Sequence, residues 1–490
     1  MSTEDETRPL EGMRFAADLR RQFEELAGSA ATSEAPSANR EPRRPLLRRA
    51  LIVAAVGCLG LVAVALGSVY LLSGSGGKKQ GAARPQTSTH TGAPTLGPAP
   101  PMVGDEFVGM DKGLDGVPWV WGDRRPRNGL PTALVERWNG QSWQAVPTPA
   151  GGIEGVAALS SDDLWIAENA HRGGRLAQWN GATWKTFPAI DFADTSETSN
   201  ALLALSPNDI WAVGSAKDAF ANAPRTNRPL SGRLQTLHWD GKRWSSVPAP
   251  ALGRGVGNVS LRLVRGVSPN AVWALGDYET YHRTTSGGRV QWVAGRWVEF
   301  LLFWDGSRWT REPWPTQQLA TNPKDEIAIE DMAVASDGEL WCAGQRWFGP
   351  DNTGDLYVPV VLRLQAGRWQ IMASSATPSL PADWKQFMPT SISLTSPQDV
   401  WVAGGSGTGD RATLWHWNGQ AWSVVDLRQA QAPDEVSNCG VLAVAADDVW
   451  AFSTLTQMSD TLVRLEPLFH HFNGTSWSSV PATPAGVAQP

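Results

Sequence analysis

The chain is 490 residues long, beyond one average domain. Charged residues make up only 18% and the net charge is -6, with no basic patch downstream of residue 84 to hold a phosphate backbone, which argues against nucleic acid as a partner. Tryptophan is the outlier, with 26 residues against 4 tyrosines, while Cys58, Cys342 and Cys439 have no CxxC or paired spacing that would signal a disulfide framework or a zinc site.

Residues 1–49 are polar and mixed in charge apart from one candidate amphipathic helix, in which Met13, Ala16, Leu19, Phe23 and Leu26 recur at three- and four-residue spacing before Gly28. That helix is either marginal by itself or a docking segment for a cytoplasmic partner at Met13–Leu26. Ser29 to Pro45 reads as a disordered spacer. Ala50 to Leu72 is 23 residues without a charge, about 35 Å as a helix, which predicts a single transmembrane span. Arg40, Arg43, Arg44, Arg48 and Arg49 precede it closely, whereas Lys78, Lys79 and Arg84 follow at a distance, so the N-terminus is expected in the cytoplasm and the remainder outside the plasma membrane. Residues 73–102, rich in Gly, Ser, Thr and Pro, read as a flexible stalk.

From 103 to 484 the chain repeats itself, followed by a tail at 485–490. A first phrase, as in Ser206-Pro207-Asn208-Asp209-Ile210-Trp211-Ala212-Val213-Gly214, places its tryptophan at Trp119, Trp165, Trp211, Trp273, Trp341, Trp401 and Trp450. A second phrase, W-[ND]-G-x-x-W in full form, ends at Trp143, Trp184, Trp244, Trp309, Trp369, Trp422 and Trp477. The two alternate strictly. Each copy reads as four short strands, a to d, with a Ser-Pro-x-Asp turn between a and b and an Asn-Gly or Asp-Gly two-residue hairpin between c and d. The fold class expected is all-β, a seven-bladed β-propeller ectodomain behind one transmembrane helix.

These phrases resemble bacterial tryptophan-rich β-propeller repeats of the SPxDVWAVG and WNGxxW type, distantly similar to kelch (galactose oxidase-like) and Asp-box repeats. The resemblance implies a fold and no activity, because such propellers host unrelated functions. No copper site of galactose oxidase type is expected, since no tyrosine falls in the repeat frame.

Within the repeat, Trp165, Trp211, Trp273, Trp341, Trp401 and Trp450 are expected to pack between neighbouring units. Asp163, Asp209, Asp399 and Asp448 are expected to accept turn amides, with calcium there as the functional alternative. Cys342 and Cys439 read as small core residues. The a-to-b and c-to-d turns stay short, so all long insertions fall on the opposite face, among them Ser215 to Arg233, Asp277 to Phe300, Arg311 to Ile329 and Gln345 to Tyr357. Candidate ligand-binding residues on that face are Tyr278, Tyr281, His282, Arg283, Trp292, Trp297, Trp314, Arg346, Trp347, Tyr357 and Trp384. No catalytic residue, metal or cofactor is assigned.

The leading functional expectation is a single-pass, membrane-anchored binding module for a protein or cell-envelope glycan, and the Ala, Gly and Arg usage points to a bacterium. Two alternatives stand beside it. A surface glycan hydrolase or lyase would draw on Glu279, Asp325, Glu326, Asp351, Asp434 and Glu435. A structural scaffold would co-purify with a membrane assembly.

Overall fold

The computed structural model describes residues 101–483 apart from 150–151, 170–174, 188–201, 216–233, 254, 287–288, 315–325, 348–356, 375–386, 407–408, 410, 430–433 and 460. The cytoplasmic segment, Ala50–Leu72 and the stalk up to residue 100 lie outside the described residues. Among the described residues no helix is long and apolar enough to cross a membrane.

Alternating apolar residues bounded by Gly, Asn and Asp build each copy as four antiparallel strands. Copy one supplies β1 (Met102–Lys112), β2 (Pro118–Arg125), β3 (Thr132–Trp138) and β4 (Trp143–Ala145); copy two supplies β5 (Gly152–Ser160), β6 (Asp163–Asn169), β7 (Arg175–Trp179) and β8 (Trp184–Thr186). Copy three forms β9 (Leu202–Ser206), β10 (Asp209–Ser215), β11 (Leu234–Trp239) and β12 (Trp244–Ser246); copy four forms β13 (Val256–Ser268), β14 (Ala271–Ser286), β15 (Arg289–Trp304) and β16 (Trp309–Glu312). Copy five gives β17 (Glu326–Val334), β18 (Leu340–Trp347), β19 (Tyr357–Gln365) and β20 (Arg368–Ser374); copy six gives β21 (Phe387–Ser396), β22 (Asp399–Ser406), β23 (Arg411–Trp417) and β24 (Trp422–Gln429). Copy seven ends the series with β25 (Glu435–Ala445), β26 (Asp448–Met458), β27 (Val463–Phe472) and β28 (Trp477–Val480).

The expected seven separate blades are corrected to five. Copies two to six form five four-stranded sheets, whereas copies one and seven share a single eight-stranded sheet. β27 runs ten residues, and β28 pairs only with its last four, Phe469–Phe472. The upstream edge of β27 is thereby open, and Met102–Gly104 of β1 pairs there in parallel with Val463–Leu465. Elsewhere the first strand of each copy packs on the first strand of the next, and β25 packs on β1, which closes the ring. Asn438 also donates to Glu106 across this closure.

Indole packing holds neighbouring copies together. Trp165 meets Trp239 and Trp244 of the next copy at 5.1 and 5.4 Å, Trp211 meets Trp304 and Trp309 at 5.0 and 5.3 Å, and Trp450 meets Trp138 and Trp143 across the closure at 4.8 and 5.4 Å. Trp341 lies in one core cluster with Trp415 and Trp422, and Trp273 in another with Trp369. Cys342 and Cys439 are free and buried.

The repeated aspartates find side chains rather than turn amides. Asp209 is bonded to His238 at 2.8 Å, Asp399 to His416 at 2.7 Å and Asp448 to His471 at 2.9 Å, while Asp163 accepts from Gln178 at 2.9 Å. Each of these histidines also lies against the tryptophan two residues beyond its aspartate, as in the Trp401–His416 stack at 3.8 Å. Copy four replaces the pair with Ala271 and Phe303, whose ring packs on Trp273 at 4.5 Å. The turn-amide role belongs instead to the second phrase: Asn139, Asn180, Asp240, Asp305, Asn418 and Asn473 each accept the N–H groups two and three residues on. That geometry needs positive φ only at the following glycine, as at Gly241 (φ 87°). The expected two-residue hairpin with both central residues at positive φ occurs in copy five, at Ala366 (49°) and Gly367 (73°).

Candidate functional site

The copy-four hairpin is where the repeat is most extended. β14 and β15 run 16 residues each against 7 in β10, which carries them on the order of 30 Å further. The third strand, β13, follows only to the Val256–Thr280 pair, so from Tyr281–Ala294 to Ser286–Arg289 the described arm is a two-stranded ribbon. Such a ribbon has little stability of its own, which makes its side chains informative.

Register sorts those side chains onto two faces. Glu279 opposes Trp297, Tyr281 opposes Ala294 and Arg283 opposes Trp292, with a bulge after Glu279 absorbing the extra residue of β15. Directly opposed residues share a face and alternate residues along a strand return to it. Tyr281, Arg283, Trp292, Trp297 and Glu279 therefore line one side of the arm. Trp297 is 48% exposed, Arg283 is exposed, and Trp292 and Tyr281 are half-buried.

A hydrogen-bonded trio fixes the base of this face. Glu279 Oε2 accepts from Asn258 Nδ2 at 2.7 Å and from Tyr281 Oη at 2.6 Å, and Asn258 Nδ2 lies 3.0 Å from Tyr281 Oη. Asn258 reaches them from a bulge in β13, where its φ is 48°, a conformation that asparagine tolerates better than most side chains. The Tyr281 N–H donates to Gly255 O at 2.7 Å, tying the arm back to β13. Burial, and then the hydrogen bond and negative charge of Glu279, push the Tyr281 phenol up to about 12. A phenol held protonated in this way is a hydrogen-bond donor to Glu279 and is not poised as a base or nucleophile.

The remaining candidates lie elsewhere. His282 opposes Val293 on the other face of the arm, and both are exposed. Tyr278 is buried beside Phe300, with the Arg311 guanidinium 5.6 Å from its ring. Trp314 is half-buried and edge-on to Trp369 at 5.0 Å, and Arg346 is buried in β18. Trp347 and Tyr357 are paired in register as the last rung of β18 and β19. Trp384 lies outside the described residues, as do Asp325 and Asp351. Sequence reasoning missed Asn258; the signal was the Gly257-Asn258 step, which parallels Ser437-Asn438 in β25, where Asn438 also sits at φ 48°. Among the described residues no group of three or more His, Cys, Asp or Glu side chains could hold a metal ion.

The fold and the indole packing together define a tryptophan-rich, repeat-built β-propeller. No family model matches the chain, and no curated protein matches it. Solved structures similar to it include YCF48 bound to a D1 peptide, at 16% identity over 76% of this chain and 92% of that chain with a TM-score of 0.37. Polysaccharide lyase Uly1 is similar at 11% identity over 81% and 94% with a TM-score of 0.42, and the RRP9 WD40 repeats at 10% identity over 72% and 91% with a TM-score of 0.38. At such scores and identities these likenesses decide nothing about what this chain binds.

Proposed function

We propose that the propeller is a non-catalytic recognition module that presents the copy-four arm to a protein or a cell-envelope glycan. One observation carries this reading: Tyr281, Arg283, Trp292 and Trp297 share one face of a hairpin that outruns its own sheet. Tryptophan, tyrosine and arginine are the side chains that dominate binding hot spots, since their planar groups bury large areas at low entropic cost. On that face Trp297 is 48% exposed and Trp292 half-buried, both outside the seams between copies. The uncharged run Ala50–Leu72 and its arginine-rich upstream flank support a single-pass anchor in a bacterial plasma membrane, N-terminus inside and propeller outside. The repeat phrases support kinship with tryptophan-rich propeller repeats, and the amphipathic stretch Met13–Leu26 supports a cytoplasmic partner.

The test uses the full chain in detergent, incubated with bacterial envelope fractions. A Trp292→Ala/Trp297→Ala variant is expected to lose at least roughly tenfold in retention, the effect of removing one or two hot-spot rings. Its unfolding curve should match that of the parent. Undiminished retention of the variant would remove the arm from the recognition surface.

A further inference from the structure

The face opposite the long insertions carries the a-to-b and c-to-d turns, and a cleft of about 610 Å3 opens there between copies one, two and seven. Its origin lies in a departure of copy one from the repeat. In copies two, three, four, six and seven the glycine of the c-to-d turn is covered by the a-to-b turn of the same copy, whereas Gly367, in the tighter turn of copy five, is open. A Cβ on Gly181 would meet Asp162 at 3.0 Å, on Gly241 Asn208 at 2.1 Å, on Gly306 Asn270 at 2.2 Å, on Gly419 Gln398 at 3.0 Å and on Gly474 Asp447 at 2.8 Å. At Gly140 a Cβ would meet nothing within 4 Å. Copy one has no Ser-Pro-x-Asp turn, and its a-to-b connection leans over copy two instead: Leu114 N–H donates to Leu159 O at 2.9 Å, and Asp115 Oδ2 accepts the Ser161 N–H at 2.8 Å. The displaced turn leaves its own c-to-d turn uncovered.

What lines the opening is chemically one-sided. The half-buried Trp138 supplies aromatic surface, backed by the buried Trp450 with ring centroids 4.8 Å apart. Asp115, Asp162 and Asp448 stand against two cations, the Arg137 guanidinium engaged by Asp162 at 2.9 Å and, beyond the lining, the Lys112 ammonium that attracts Asp448. Asp448 holds His471 at 2.9 Å and the Trp450 indole N–H at 2.8 Å, both through Oδ1, and its side chain remains 40% exposed. An aromatic wall beside a carboxylate with one oxygen to spare suits a planar cation, which can lie against the ring while donating to the oxygen.

We infer that this cleft is a second recognition site, which takes an arginine side chain presented by a protein partner. It is independent of the arm, since it lies on the other face and uses none of the arm's residues. Excess negative charge and the half-buried Trp138 indole favour the guanidinium over an anionic or purely apolar group.

Fluorine NMR of the full chain in detergent, labelled with fluorotryptophan and with the Trp138 signal assigned from a Trp138→Phe variant, reads the site directly. Acetyl-Gly-Arg-Gly-amide should shift that signal saturably, and the neutral citrulline counterpart should bind about tenfold more weakly or less. Gly140→Asn adds a side chain to a lining residue at φ 93°, a strained conformation that asparagine bears better than most side chains. It should abolish the shift while the chain, somewhat destabilised, still unfolds in one cooperative transition. Equal shifts from the two peptides, no saturable shift, or unaltered arginine binding by Gly140→Asn would each overturn the assignment.

Discussion

Copies three and four begin from nearly the same phrase and end as different objects. In copy three, Asp209, Trp211 and His238 form a closed set, the strands stop after Ser215, and Trp211 is 1% exposed between copies. In copy four the aspartate is Ala271, the histidine is Phe303, and the hairpin continues until Trp297 stands 48% exposed. The same residue type thus does opposite work in the two places. A tryptophan of the repeat frame such as Trp211 fills the seam between copies, whereas Trp297, beyond the frame, stands open to solvent.

The sharpest way to break this comparison is to delete a ring from each class. Trp211→Ala removes an indole packed against Trp304, Trp309 and His238 and is expected to cost about 3–5 kcal/mol in denaturant unfolding. Trp297→Ala should stay within about 0.5 kcal/mol of the parent. Comparable losses at the two positions would erase the distinction between seam and surface.

A smaller effect concerns the closure. Glu136 of β3 is 1% exposed, its Oε2 lies 3.1 Å from Thr483 Oγ1, and burial pushes its carboxyl up to about 7. The folded chain then holds a proton that the unfolded chain releases at the ordinary carboxyl value of 4.5. Between these values the native state binds more protons, so stability falls as pH rises through that window and levels off above about 7. The loss from this group is at most on the order of 3 kcal/mol. Glu136→Gln should flatten the slope, seen as a smaller spread of unfolding midpoints across the window.

The third test asks whether the copy-three and copy-four solutions are interchangeable. Asp399→Ala leaves His416 without its carboxylate, and His416→Phe removes one donor from Asp399, which keeps Thr395 and Trp401; each change is expected to cost about 1–3 kcal/mol. The double variant recreates the Ala271–Phe303 arrangement, so it should cost less than the sum of the single changes. Simple additivity would show that the aspartate and histidine act separately.

Much of this fold was legible because its causes are local. Alternation places the strands, the Ser-Pro-x-Asp and Asn-Gly steps mark the turns, and the evenly recurring tryptophans announce a seam. The sheet shared by copies one and seven was not legible, since Met102–Gly104 and Val463–Leu465 carry no motif and meet along the part of β27 that β28 does not cover. The aspartate partners could have been read: His238, His416 and His471 each precede the aromatic residue of the second phrase in copies that carry the aspartate, and Phe303 takes that place where Ala271 replaces it. Of the candidate site, sequence supplied the aromatic residues. It could not supply the division into two faces, because the bulge after Glu279 shifts the register of everything beyond it. Nor could it place Tyr278, which is one strand position from the exposed face and buried.

The most direct measurement removes the arm and keeps the ring. Residues 281–294 are replaced by a two-residue Asn-Gly turn joining Thr280 to Gly295, and the full-length product is compared with the parent for thermal unfolding and for retention on envelope fractions. The expected result is an unchanged melting temperature with retention lost. Retention equal to the parent's, from a ring that still unfolds cooperatively at the same temperature, would contradict the assignment of recognition to the arm.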